Sequence, residues 1–162
     1  MSGTHGSTIA EARTPEDLAA ARELVRNYAL TLEGNVCLDG FAAEMAAFPG
    51  EYSPPGGAVL LARHRGLAVG VVCLRPLEAR HCELKRLYLT DAGRGVGLGR
   101  GLIEAAIARA RALGYRVIRL DTLPGQHERA IALYRRLGFA QIPPYPAVPI
   151  PGALHFELTL MK

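Results

Sequence analysis

At 162 residues, with 49% hydrophobic and 21% charged side chains, the chain has the length and composition of one soluble globular domain. No apolar run approaches the ~20 residues a membrane span needs. The start MSGTHGST also lacks the charged opening and apolar core of a secretory signal, so the expected location is cytoplasmic. The net charge of +4 suits anionic ligands, but no lysine/arginine run is interleaved with aromatics, so nucleic acid is not an expected partner. Cys37, Cys73 and Cys82 are odd in number and show no CxxC or Cys/His spacing; they read as core residues, with no disulfide framework and no metal.

In chain order, residues 1–6 read as a flexible start and 7–12 as a short edge strand. Thr14-Pro15-Glu16-Asp17 is a helix start, with a hydroxyl cap, a first-turn proline and acids at the positive end of the dipole. Leu18, Ala21, Val25, Tyr28 and Leu32 then keep helical spacing. A second helix is expected from Leu38 or Asp39 to Pro49-Gly50, followed by a loop over SPPGG. AVLLAR (58–63) and AVGVVCL (68–74), joined by His64-Arg65-Gly66, predict a hairpin. A third strand ends at Leu89, and a glycine-rich turn opens a helix to Leu113, where Gly114 is a natural C-cap. YRVIRLD (115–121) alternates as a strand, 128–137 is helical, and 139–142 is a short strand. A proline-rich loop, PPYPAVPIP, precedes a last strand over 154–160. These elements make a single α/β domain over 1–162, whose sheet is mixed because its middle strands join by hairpins.

The glycine turn carries the chemistry. A strand that feeds glycines and then a helix presents unpaired N–H groups and a positive dipole end to an anion. Arg94 and Arg100 flank Gly95, Gly97 and Gly99, which predicts a grip on a pyrophosphate-bearing cofactor. The spacing fits neither the dinucleotide G-x-G-x-x-G nor the P-loop, which ends in Gly-Lys-Ser/Thr. What stands is Arg94-x-x-Gly97-x-Gly99.

That hexapeptide resembles the acyl-CoA signature of the GNAT N-acetyltransferase superfamily. The resemblance extends to Leu87-Tyr88-Leu89 before the turn and to Leu133-Tyr134-Arg135-Arg136-Leu137-Gly138-Phe139 after it, with the element order also similar. It implies a mixed, mostly antiparallel sheet of about six to seven strands flanked by about four helices. It also implies acetyl-CoA as acyl donor, held by Leu87, Tyr88 and Leu89, by Arg94, Gly95, Val96, Gly97, Leu98, Gly99 and Arg100, and by His127 and Tyr134. The family often has asparagine where this chain has His127, so the grip of that loop differs here. FPGEYSPPGG and PYPAVPIPG resemble bacterial members of unassigned substrate.

Acetyl transfer to an amine needs a proton acceptor, a donor for the developing oxyanion and a proton for the leaving thiolate. The resemblance makes Tyr134 the expected general acid and Glu83 the expected general base. Glu83 is alternatively a glutamate paired with Lys85 or Arg86, and His81 and His127 are further candidates for the proton. Asp121 and Thr122 end a strand near the expected site. The acceptor region, residues 27–57 and 143–153, is rich in glycine, proline and apolar groups, which favours a small amine or amino-acid-like acceptor over a basic peptide tail. The alternatives are a non-catalytic acyl-CoA-binding module, or an acyltransferase using another acyl-CoA or an oxygen acceptor. Pairing of two copies through the C-terminal strands is a further expectation of such folds.

Overall fold

The computed structural model describes residues 6–31, 40–125 and 127–160. Among these residues, seven strands form one sheet: β1 (Ser7–Glu11), β2 (Ala58–His64), β3 (Leu67–Pro76), β4 (His81–Leu89), β5 (Val117–Thr122), β6 (Ala140–Ile142) and β7 (Leu154–Thr159). Their order is β1-β2-β3-β4-β5-β7-β6, and each pairing is antiparallel except β4 with β5. Four helices among the described residues flank it: α1 (Pro15–Thr31), α2 (Phe41–Ala47), α3 (Leu98–Ala112) and α4 (Glu128–Arg136). Sheet type and element order are those expected.

Alternation along the strands builds two cores, one on each face. On β2, Ala58, Leu60 and Ala62 pack with Leu102, Ile103 and Ala106 of α3 and Ile131 of α4. Val59 and Leu61 face the other way, toward Ala21, Leu24 and Val25 of α1 and Met45 of α2. Cys73 and Cys82 are fully buried, one in each core, and burial raises both thiols, Cys82 to about 12. They are inert filler. Cys37 lies outside the described residues, as do the expected helix starts at Leu38 and Asp39.

The helix start read from sequence is present: Asp17 N–H donates to Thr14 Oγ1 at 3.1 Å, directly before Pro15. Gly40, at φ 76°, leads into α2. α2 ends at Ala47, and a single 3-10 turn, Gly50–Tyr52, comes between it and the loop expected over SPPGG. Of the predicted flexible start, 1–5 lie outside the described residues, while the Gly6 carbonyl accepts from Arg65 N–H at 2.7 Å. Among the described residues no helix is long and apolar enough to cross a membrane.

Candidate active site

The sheet forks where its two parallel strands meet. β4 and β5 pair only from His81–Val117 to Glu83–Arg119. Beyond that point β4 stays on β3 as far as Leu89–Gly70, and β5 stays on β7 as far as Thr122–Leu154. Among the described residues, no strand therefore pairs with 84–89 on their β5 side. A bulge deepens the fork: between the pairs Val71–Tyr88 and Cys73–Lys85, Arg86 and Leu87 together oppose Val72. Bulges bend and twist a strand, and here one residue, Arg86, sits at φ 65°. That conformation costs roughly 1–3 kcal/mol in an L-residue and needs support from its surroundings. Support comes from Glu44, whose carboxylate accepts from Arg86 Nη2 at 2.6 Å and Nε at 3.0 Å, and from Phe41, 5.5 Å below the guanidinium.

Two cavities fill the fork. The larger, about 760 Å³, runs along Leu87, Tyr88 and Leu89 to the glycine turn and α3's first residues, with α4 opposite. The smaller, about 400 Å³, lies between Lys85, Arg86, Asp121, Tyr134 and the 143–153 loop. Both are in the range of small-molecule sites. Tyr28, Leu87, His127 and Ala130 line both, so the two adjoin along a common wall.

At the turn, Gly95 and Gly97 have φ of 80° and 81°. A Cβ would meet nothing within 4 Å at either, so the requirement is conformational rather than spatial. Gly97 precedes α3 with no side-chain cap, which leaves the helix-start N–H groups of Leu98, Gly99 and Arg100 as donors toward the larger cavity. Arg94 and Arg100 line this cavity too, each paired with a neighbour, Asp91 at 2.8 Å and Glu104 at 3.1 Å. Exposed pairs of this kind contribute little, so either guanidinium can turn to a phosphate. Val96 does not line the cavity; its side chain is half-buried against the α3 core.

His127 lies at the junction, its ring stacked on Tyr28 with centroids 6.0 Å apart. Its Nδ1 accepts the Leu123 backbone N–H at 3.2 Å and lies 3.0 Å from Thr122 Oγ1. A backbone N–H can only donate, so Nδ1 is the acceptor and the ring proton sits on Nε2. Burial lowers the imidazole's pKa, against a smaller opposing effect of Asp121, which keeps the ring neutral. As folded, His127 offers a donor, the role an asparagine amide would fill, and its basic nitrogen is already engaged.

Tyr134 is 4% exposed and its ring packs between Phe139 and Phe156, with centroids 5.5 and 6.3 Å away. It contributes to the wall of the smaller cavity. Burial, reinforced by Tyr28 and Asp121, raises the phenol far above its ordinary value. The hydroxyl therefore keeps its proton.

Glu83, the expected general base, is set back from both cavities. It is 2% exposed, lines neither cavity, and has donors on both oxygens: Arg75 Nε on Oε1 at 2.7 Å and the Tyr145 hydroxyl on Oε2 at 2.5 Å. Its partner is not Lys85 or Arg86. The carboxylate facing the smaller cavity is Asp121, with Lys85 Nζ 4.0 Å away. His81 lies at the start of β4 and also lines neither cavity.

The family model described as "Acetyltransferase (GNAT) family" matches residues 22–139. The chain belongs to the GNAT family. It is an acetyltransferase. An uncharacterised N-acetyltransferase of Schizosaccharomyces pombe is 33% identical over 157 residues, spanning 96% of each chain. An L-methionine sulfoximine/L-methionine sulfone acetyltransferase of Pseudomonas aeruginosa is 37% identical over 89 residues, 54% of this chain and 51% of that one. In structure, a Salmonella typhimurium protein solved with its cofactor acetyl-CoA superposes with a TM-score of 0.72 at 24% identity, covering 97% of this chain and 95% of the other. The two GNAT motifs, distant in sequence, meet at the fork: Leu133 lines the larger cavity with the glycine turn, and Tyr134 the smaller.

Sequence reasoning did not assign Arg75 to the site, and within the expected acceptor region it singled out neither Tyr28 nor Tyr145. Tyr28 shares the apolar spacing of α1 and looks like core, yet it faces both cavities and meets Tyr88 edge-on at 6.1 Å. No local signal marks Tyr145, which is brought in by a loop.

Proposed function

We propose that this acetyltransferase holds acetyl-CoA in the larger cavity and a small-molecule amine in the smaller, and transfers the acetyl group directly between them. The observation that carries this is that the two cavities adjoin, sharing Tyr28, Leu87, His127 and Ala130, with a helix start suited to an anion at one end and a compact pocket walled by Tyr134 at the other. Acetyl-CoA supplies an activated acetyl group. The N–H groups of Leu98, Gly99 and Arg100, with Arg94 and Arg100, take the pyrophosphate. The free edge of Leu87, Tyr88 and Leu89 pairs with the pantetheine arm, and His127 Nε2–H donates to it. The bulged backbone at Arg86 and Leu87 faces the reacting carbonyl, and Tyr134 donates to the departing sulfur. Asp121 takes the amine proton, directly or through water. A pocket of about 400 Å³ walled by Pro149, Ile150 and Pro151 suits a small acceptor, and the Pseudomonas aeruginosa relative is named for one.

Coenzyme A release across polyamines, aminoglycosides, amino acids and arylalkylamines, with calorimetry of acetyl-CoA, tests this reading. Micromolar binding and turnover of at least one amine are expected. No binding and no release with any of them would sink it.

The neutral state of His127 gives a pH prediction. Its folded pKa lies below the ordinary ~6.5, so the folded protein binds this proton more weakly than the unfolded chain. The stability it contributes is complete above pH ~6.5 and is lost as pH falls through the lower folded value. Acetyl-CoA affinity should weaken in the same window, because a proton on Nδ1 opposes the Leu123 N–H. His127→Asn should flatten both profiles, checked by thermal melts and calorimetry from pH 7.5 to 5; a variant as pH-sensitive as the wild type would refute it.

A further inference from the structure

Four side chains, those of Glu83, Arg119, Tyr145 and Arg75, converge at the apex of the fork without lining either cavity. Glu83 and Arg119 are the last pair joining β4 to β5. Tyr145, from the loop between β6 and β7, lies over that pair: its hydroxyl donates to Glu83 Oε2 at 2.5 Å, the Arg119 guanidinium sits 5.4 Å from its ring centre, and His155 meets the ring edge-on at 5.3 Å. Arg75, opposite Glu83 on β3, donates to the other carboxylate oxygen at 2.7 Å and reaches Glu51 at 2.7 Å through its second arm. The same loop supplies Val148, Pro149, Ile150 and Pro151 to the smaller cavity.

We infer that Tyr145 and Glu83 are positioning residues for the acceptor: their hydrogen bond fixes the 143–153 loop as one wall of the acceptor pocket. This rests on the reading above that the smaller cavity takes the amine. The loop has no regular secondary structure, and Val148 within it is 87% exposed, so little of its own packing sets its position. A hydrogen bond to a buried carboxylate is of the strong, charge-assisted kind, and removing the donor leaves a buried charge short of a partner. Burial and the adjacent carboxylate push the Tyr145 phenol far up, so it stays the donor. The wall is thereby tied to the point from which β4 and β5 diverge, and the width of the pocket follows from the spread of the two strands.

Tyr145→Phe keeps the ring between Arg119 and His155 and removes only the hydroxyl. With the best amine from the panel, the acceptor KM should rise about tenfold while kcat stays within twofold and acetyl-CoA affinity is unchanged. Hydrogen exchange over 143–153 should accelerate about tenfold, with the 94–103 turn unaffected. Glu83→Gln should move KM and loop exchange in the same direction. A hundredfold loss of kcat in either variant, with the acid limb of the pH–rate profile abolished, would make Glu83 a base and overturn the inference. Unchanged KM together with unchanged loop exchange would overturn it too. Should every amine in the panel be refused, the reading of the pocket fails, yet loop exchange still decides the latch.

Discussion

Tyr134→Phe is expected to lower kcat by about 10²–10⁴-fold, the usual range for one positioned proton donor, while acetyl-CoA binds as before. The ring is held by Phe139 and Phe156 on the side away from the cavity, and phenylalanine keeps those contacts. What is lost is one O–H of a buried side chain on the cavity wall, a donor positioned for developing charge. Because burial holds the phenol protonated throughout the working range, its contribution should not titrate near neutral pH. The loss should therefore be uniform from pH 6 to 9. A second measurement separates this role from simple packing. An aryl thioester, whose thiol leaves more readily than coenzyme A, should be turned over with a much smaller penalty. An activity within fivefold of wild type, or an equal loss with both donors, would remove Tyr134 from proton donation.

The legibility of this site in sequence followed the range of the contacts that make it. The glycine turn is local: left-handed Gly95 and Gly97, the arginines and the helix they open are neighbours in the chain, and their spacing carried the information. Strand alternation and helix spacing likewise depend on near neighbours, which is why element order and sheet type could be read. Glu83 could be placed on β4 but not understood there. Its two donors come from β3, in a register set by the hairpin, and from a loop 62 positions away. An isolated strand glutamate near a cofactor motif looks like a base; in the fold the same glutamate is held between Arg75 and Tyr145. Arg86 shows the same limit. Nothing in ELKRLYL marks a bulge, because the extra residue is counted against β3, and the αL backbone at Arg86 is held by Glu44 from α2.

That last pair supports the second large effect: Glu44→Ala should cost about 3 kcal/mol of stability, near the low end of the ~3–5 kcal/mol for breaking a buried ion pair. The Arg86 side chain is 10% exposed and is fixed at φ 65°, so it cannot easily swing to water once its counter-charge is gone. Glu44, at 24%, is partly solvated, and that places the figure low in the range. For a domain of this size it is roughly a 6–12 °C fall in Tm. Replacing both partners, Glu44→Leu with Arg86→Met, removes the stranded charge and should restore most of the loss. The pH dependence has a definite sign. Burial opposes ionisation of Glu44, but the hydrogen bond and charge of Arg86, with the Tyr52 hydroxyl donating at 3.0 Å, outweigh it and hold the carboxyl below its usual value. The folded protein thus binds that proton more weakly than the unfolded chain. The stabilisation is complete above pH ~4.3 and is lost as pH falls through the lower folded value. Thermal melts from pH 7 to 3 should show the gap between wild type and Glu44→Ala closing across that window. A gap under 1 kcal/mol at pH 7 would show that the bulge stands without the pair, and that Arg86, on the wall of the acceptor pocket, is held there by Phe41 and the strand alone.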